Sequence, residues 1–192
     1  MFTDNELSTR FAQLRIRVKD TDKIEKLIFD FTESLGQRHL LQSDYYNCPQ
    51  GIIKIQKYFD DVSYTKILFY NRNNDEKNCR KFFRLKMSTE NNSEDISLIL
   101  SVALNKIASI KIIRRQFCKD NFVINLDLVE DMGYFMSIKY IVEDEGVCNE
   151  KVWLELKRTL LTSFDINKNE ILPTLSYAEL ITNNLLTKYD FS

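Results

Sequence analysis

From Phe11 to Val18 the chain alternates strictly. Ala12, Leu14, Ile16 and Val18 fall on one side and Phe11, Gln13, Arg15 and Arg17 on the other, the period of a strand with one apolar and one polar face. After Asp20 and Thr21, which offer an N-cap, the period becomes helical. Ile24, Leu27, Ile28, Phe31 and Leu35 predict a helix over about Asp22 to Leu35, stopped by Gly36. Strand-like runs follow at Leu40–Asn47, Ile52–Phe59, Tyr64–Asn71 and Arg80–Met87, parted by the turn formers Cys48-Pro49-Gln50-Gly51, Asp60-Asp61 and a polar stretch up to Asn78. Ser93, Glu94 and Asp95 open a second helix, about Ser93 to Leu104, with Ile96, Ile99, Leu100 and Ala103 on one side. Strands return at Ser109–Cys118, Phe122–Val129 and Tyr134–Val142. Two more helices are predicted, Asn149–Phe164 with Val152, Leu156 and Leu160, and Ser176–Tyr189. No repeat or linker divides the chain, so the pattern predicts one α+β domain over residues 1–192.

The second face of these strands is unusual. Bases recur on it: Arg15 and Arg17, Lys54, Arg72, Arg84 and Lys86, Arg114, Lys139. An antiparallel sheet with a solvated outer face produces this pattern. So does a barrel of about eight strands whose interior is polar and holds a small ligand. Periodicity does not choose between them.

Composition narrows the chemistry. Lys+Arg number 27 and Asp+Glu 28, a formal charge of −1, so no general attraction to nucleic acid or to an anionic membrane is expected. No apolar run approaches the roughly 18 residues of a spanning helix, and Met1–Arg10 lacks the apolar stretch of a secretory signal. A cytoplasmic protein is expected, with a nuclear one as the alternative. The four cysteines, Cys48, Cys79, Cys118 and Cys148, are far apart and form no CxxC, which argues for free thiols over zinc. The one histidine, His39, has no acid near it in sequence and reads as a surface residue at a strand start. Catalysis by a Ser-His-Asp or Cys-His arrangement has no positioned imidazole to use.

Several blocks, taken in order, resemble the CYTH superfamily, the triphosphate tunnel proteins that include class IV adenylate cyclases and thiamine triphosphatases. Gln42 to Ile55 is similar to the segment Q-x-D-x-Y-F-N-x-P-x-G-R-L-K-L-R, and Tyr70-Asn71-Arg72-Asn73 to a Y-x-R-x strand. Ile112 to Phe117 falls where K-x-R-x-x-Y is expected. Asn125-Leu126-Asp127 with Val129, Met132 to Phe135, and Ser176-Tyr177-Ala178-Glu179-Leu180 resemble H-L-D-x-V, L-G-x-F and S-Y-x-x-L. The resemblance covers Phe11 to about Ile181 and implies an antiparallel β-barrel or tunnel of about eight strands with helices packed outside. It further implies interior bases that grip a triphosphate and interior acids that hold Mg²⁺ or Mn²⁺.

The departures decide the expected function. The pattern E-x-E-x-K reads Phe11-Ala12-Gln13-Leu14-Arg15, and F-x-E-x-E reads Phe135 to Lys139, so that Ser137 and Lys139 replace acids. Asp127 alone survives, and a hard dication needs several oxygen ligands. Lys54, Arg72 and Arg114 remain basic with Arg15, whereas neighbouring basic positions have become Ile52, Gln56, Ile112 and Val123. The resemblance thus implies phosphate binding by Arg15, Lys54, Arg72 and Arg114, with Arg17, Arg84, Asp127 and Lys139 as additional candidates. No catalytic residue and no cofactor are expected. The leading reading is a catalytically degenerate tunnel protein that binds a phosphorylated small molecule, a nucleotide or a protein partner. A metal-dependent cyclase or triphosphatase using Mg²⁺ or Mn²⁺ is the enzyme alternative. A lumen plugged by Phe11, Ile52, Ile112 and Val123, with the bases turned outward, is the alternative to an open anion site.

Overall fold

The computed structural model describes residues 8–60, 64–71, 79–88, 93–142, 150–173 and 175–183. Eight strands close into a barrel: β1 (Ser8–Arg17), β2 (Gln37–Cys48), β3 (Gly51–Tyr58), β4 (Tyr64–Asn71), β5 (Cys79–Ser88), β6 (Asn105–Lys119), β7 (Phe122–Val129) and β8 (Gly133–Val142). The order around the wall is β1-β5-β4-β3-β2-β6-β7-β8, every pair is antiparallel, and β8 returns to β1 with Arg15 opposite Ser137 and Gln13 opposite Lys139. Closure removes the exposed edges that an open sheet would carry.

The two faces of β1 settle which arrangement holds. Ala12, Leu14, Ile16 and Val18 are buried with Ile124, Leu126, Met136 and Ile138 of β7 and β8. Against them pack Ile24 and Ile28 of α1 (Thr21–Thr32) and Leu156 of α3 (Glu150–Ser163), with Phe164 and Ile166. This apolar cluster therefore lies outside the barrel, and the alternate residues of β1, Gln13 and Arg15 among them, point inward. A second cluster closes one end, where Leu172 and α4 (Tyr177–Thr182) meet Tyr45, Ile52, Ile112 and Phe135. Ser176 caps α4 with a capping box to Glu179.

Some boundaries differ from the sequence reading. Asp20 caps α1 as expected, accepting from the Lys23 backbone N–H at 3.0 Å, but the helix ends at Thr32, where Glu33 takes a left-handed conformation. Leu35 is consequently outside the helix and exposed. Gly36 instead permits a close approach: it has φ +69°, and a Cβ there would sit 2.7 Å from the Phe117 ring. In α2 (Ser93–Ala103), Ile99 is 62% exposed and Ala103 is exposed, so the expected apolar stripe is not buried as a stripe. Ile96 and Leu100 are half-buried, and a polar anchor joins α2 to β2: the Tyr46 hydroxyl donates to the Ser97 carbonyl at 3.2 Å, and Ser97 Oγ donates to Asp44 at 3.2 Å. The last predicted helix is described only as α4, and its continuation toward Tyr189 lies outside the described residues. No helix among the described residues is long and apolar enough to cross a membrane.

Truncation at the helix-to-barrel seam should be costly. Ile28→Ala or Ile138→Ala, each removing a fully buried side chain, is expected to lower unfolding free energy by about 2–5 kcal/mol. Val102→Ser, at an 83% exposed site, should stay within about 0.5 kcal/mol of wild type. Urea unfolding followed by circular dichroism checks both, and a tolerant Ile138 with a sensitive Val102 would contradict the assignment of faces.

Candidate functional site

Because side chains alternate across each strand, Arg15 of β1, Lys54 of β3, Arg114 of β6 and Lys139 of β8 all line one interior cavity of about 250 Å³. Tyr45, Tyr70 and Gln56 share its wall, and Leu175 and Tyr177 close it from the C-terminal segment. A second compartment of about 240 Å³ shares Lys54, Gln56, Tyr70, Arg114 and Lys139 with the first, so the lumen continues past the bases toward the other end.

Arg114 stands directly across from Asp127 in the β6–β7 register and binds it with two hydrogen bonds, Nε to Oδ1 and Nη2 to Oδ2, both 2.7 Å. The Tyr177 hydroxyl donates to Asp127 Oδ2 at 2.8 Å. Burial opposes ionisation of Asp127, but the adjoining guanidinium outweighs it and holds the carboxyl below its usual range. Arg15 donates through Nη1 to the Leu175 carbonyl and lies 4.2 Å over the Tyr177 ring. Its Nε is buried and has no hydrogen-bond partner among the described residues.

The two lysines are differently placed. Lys54 Nζ lies 5.9 Å from the Tyr45 ring centre and 5.5 Å from that of Tyr70, and Lys139 Nζ lies 5.2 Å from that of Phe11. Neither makes a hydrogen bond or ion pair among the described residues. Burial, then the charges of Arg114 and Arg15, push the Lys54 ammonium down to about 7. Burial, with Arg114, Lys54 and Arg15, brings Lys139 down to about 8. Burial also raises the Tyr45 phenol, and pushes Tyr58 up to about 12, so these hydroxyls stay protonated donors. Four bases thus outnumber the two acids near them, Asp127 bonded to Arg114 and Glu179, which also lines the cavity and accepts from Ser176.

Of the residues expected from the sequence, the structure gathers Arg15, Lys54, Arg114, Lys139 and Asp127. Arg72 lies outside the described residues, as does the side chain of Arg84, whose backbone is in β5. Arg17 is half-buried but is not among the cavity's lining residues, and its Nη2 reaches the Met132 carbonyl at 3.5 Å. The plugged-lumen alternative is corrected in part: Phe11, Ile52, Ile112 and Val123 do face the interior, yet the described bases face it with them. Sequence reasoning misses the cavity roles of Tyr45, Tyr70 and Tyr177; for Tyr70 the period-two alternation from Leu68 carries the signal. The expectation for His39 is also corrected, since its side chain is only 15% exposed and Nδ1 sits 2.6 Å from Asp60, which follows β3 and returns beside β2.

The residues present do not fit a divalent cation. Gln13 and Ser137 line the cavity beside Lys139, and Phe11 lines the second compartment, so the positions where the resemblance places acids point inward but carry no carboxylate. Both Asp127 oxygens are already engaged. No cluster of three His, Cys, Asp or Glu occurs among the described residues.

No protein-family model matches the sequence, and no curated protein matches it. Solved structures do. PH1819 of Pyrococcus horikoshii OT3 aligns with TM-score 0.69 and 17% identity over 91% of this chain and 99% of its own. A candidate adenylate cyclase of Vibrio parahaemolyticus gives 0.68 and 16% over 90% and 97%. HpAC1 of Hippeastrum, a candidate adenylyl cyclase with a dominant triphosphatase activity, gives 0.59 and 12% over 92% and 96%. The chain has the triphosphate tunnel fold of the CYTH proteins.

Two substitutions separate the paired from the unpaired charges. Asp127→Asn leaves Arg114 buried without its counter-charge and should cost about 3–5 kcal/mol. Lys54→Met should do the reverse. Its folded-state value lies below the ordinary 10.5, so the unfolded chain binds the extra proton between about pH 7 and 10.5 and wild-type stability gains with rising pH across that window. At pH 6, where the charge penalty is full, Lys54→Met should raise the ligand-free melting temperature by about 3 °C or more, the shift that ~1 kcal/mol gives in a chain of this size. Calorimetric melts from pH 6 to 9 test both, and a destabilised Lys54→Met would show that the ammonium is compensated.

Proposed function

We propose that this chain uses the triphosphate tunnel fold to bind a phosphorylated small molecule or nucleotide without metal-dependent turnover. The observation that carries the reading is the cluster of Arg15, Lys54, Arg114 and Lys139 around one cavity, with two lysines lacking any paired acid among the described residues. Clustered cations repel one another in a low-dielectric space, and an anion relieves that repulsion. Phosphate oxygens suit the donors present, since Arg15 keeps a buried Nε and each ammonium carries three N–H groups. The enzyme alternative needs carboxylates to hold Mg²⁺ or Mn²⁺, and Gln13, Ser137 and Lys139 supply none, which favours binding over catalysis.

Tripolyphosphate at low salt should raise the melting temperature of the wild-type protein, and the effect should shrink as salt rises. Lys54→Ala or Lys139→Ala should weaken binding by about tenfold or more, because one charged hydrogen bond contributes roughly 1.5–3 kcal/mol. Binding should also weaken from pH 6 to pH 9 as Lys54 and then Lys139 lose their protons. Phosphate release with Mn²⁺ should stay at background, and Gln13→Glu with Lys139→Glu should raise metal affinity in titration calorimetry.

A second reading, docking of a protein partner, is favoured by the face of α2 on which Leu98, Ile99 and Val102 are exposed together. It takes precedence if tripolyphosphate gives no thermal shift at low salt.

A further inference from the structure

The two ends of the lumen differ in chemistry. Beyond the residues shared with the first, the second compartment is lined by Phe11 of β1, Leu68 of β4, Val123 of β7 and Ile141 of β8, together with Tyr58, Lys66, Gln116 and Cys118. The register places these apolar groups immediately beyond the bases: Phe11 is opposite Ile141, and Val123 is opposite Lys139. Lys139 Nζ, 5.2 Å from the Phe11 ring, marks the seam between the charged middle and the apolar end. At this end Tyr58 stacks on Tyr64 with centroids 4.3 Å apart, and Lys66 lies over both rings.

We propose that this compartment seats the apolar body of a phosphate ester, so that the ligand is an organic mono- or diphosphate whose phosphate lies among Arg15, Lys54, Arg114 and Lys139 while its hydrocarbon or aromatic part lies against Phe11, Leu68, Val123 and Ile141. The inference rests on the anion-binding reading and assigns the other half of the ligand. A lumen meant only for inorganic polyphosphate gains nothing from four apolar walls, which add no donor. Apolar surface facing water in a cavity gains free energy when an apolar group covers it. The charge balance points to the same ligand. Arg114 is neutralised by Asp127, and the remaining lining charges are Arg15, Lys54 and Lys139 with Lys66 at the second compartment against Glu179 at the first, a surplus that matches one or two phosphates better than three. The two joined compartments reach the lower part of the roughly 300–1,000 Å³ range of small-molecule sites, which limits the body to a ring or a short chain.

The test is titration calorimetry of the full chain at low salt with four probes: inorganic phosphate, inorganic diphosphate, benzyl phosphate and geranyl diphosphate. Benzyl phosphate or geranyl diphosphate should bind at least tenfold tighter than its inorganic counterpart, with a more negative heat-capacity change. Which of the two gains more tells a ring from a chain. Leu68→Asn and the near-isosteric Val123→Thr should remove most of that gain and leave inorganic diphosphate affinity within about twofold, thermal melts confirming that both variants fold. If the esters bind no better than the inorganic anions, or the gain survives both substitutions, the apolar seat is wrong while anion binding stands. If none of the four probes binds, the anion reading fails and this inference falls with it.

Discussion

Arg114 and Asp127 face each other across β6 and β7 at the centre of the barrel, and most of the interior is organised around that pair. A guanidinium buried in a lumen is costly without a counter-charge. The carboxylate supplies it in a two-bond geometry, then takes a third hydrogen bond from Tyr177. That third bond ties the C-terminal segment to the barrel wall. Tyr177 in turn offers its ring to Arg15, whose guanidinium reaches the Leu175 carbonyl. One acid therefore closes one end of the lumen, fixes two arginines and is left with no free oxygen for a metal.

The same pair explains why the barrel is built inside out. Eight strands enclose too small a volume for a conventional core plus a charged cluster, so the apolar faces of β1, β7 and β8 turn outward and are covered by α1 and α3. The outer seam carries stability, and the interior is released from that duty. A lumen freed from packing can hold Lys54 and Lys139 at a cost, and can accept Phe11, Val123 and Ile141 where a polyphosphate site has no use for them.

Much of this was legible in the chain, and the misses have a common cause. Period-two alternation around Arg15, Lys54, Arg114 and Lys139 reported correctly that these bases share the minor face of their strands, because alternation is a local property. Whether that face looked outward or inward depended on β8 pairing with β1, a contact spanning most of the chain, and no local pattern reports closure. The pairing of His39 with Asp60 was hidden for the same reason, since the acid lies 21 residues away and reaches the ring only through the β2–β3 turn. The stripe on α2 misled in the opposite sense. Ile96, Ile99, Leu100 and Ala103 have helical spacing, yet the helix is held partly by Ser97 on Tyr46 and Asp44, and Ile99 is left in solvent. Amphipathic spacing says that a helix has two faces but not how far the partner surface extends.

The unpaired lysines bear most directly on what the protein is for. Their cost falls entirely on the ligand-free state, since burial and the neighbouring arginines both disfavour the charged forms. Natural chains tolerate such local cost at sites of function more readily than elsewhere. Replacing either lysine with a neutral side chain would relieve it, and the lumen already carries neutral side chains at Gln13, Gln56 and Ser137. Under the proposed function, an entering anion would turn the same two charges from repelled to attracted, with proton uptake by Lys54 near neutral pH. On that proposal the cost of the two buried charges in the ligand-free protein is offset in the complex, as expected when a ligand binds only the folded chain.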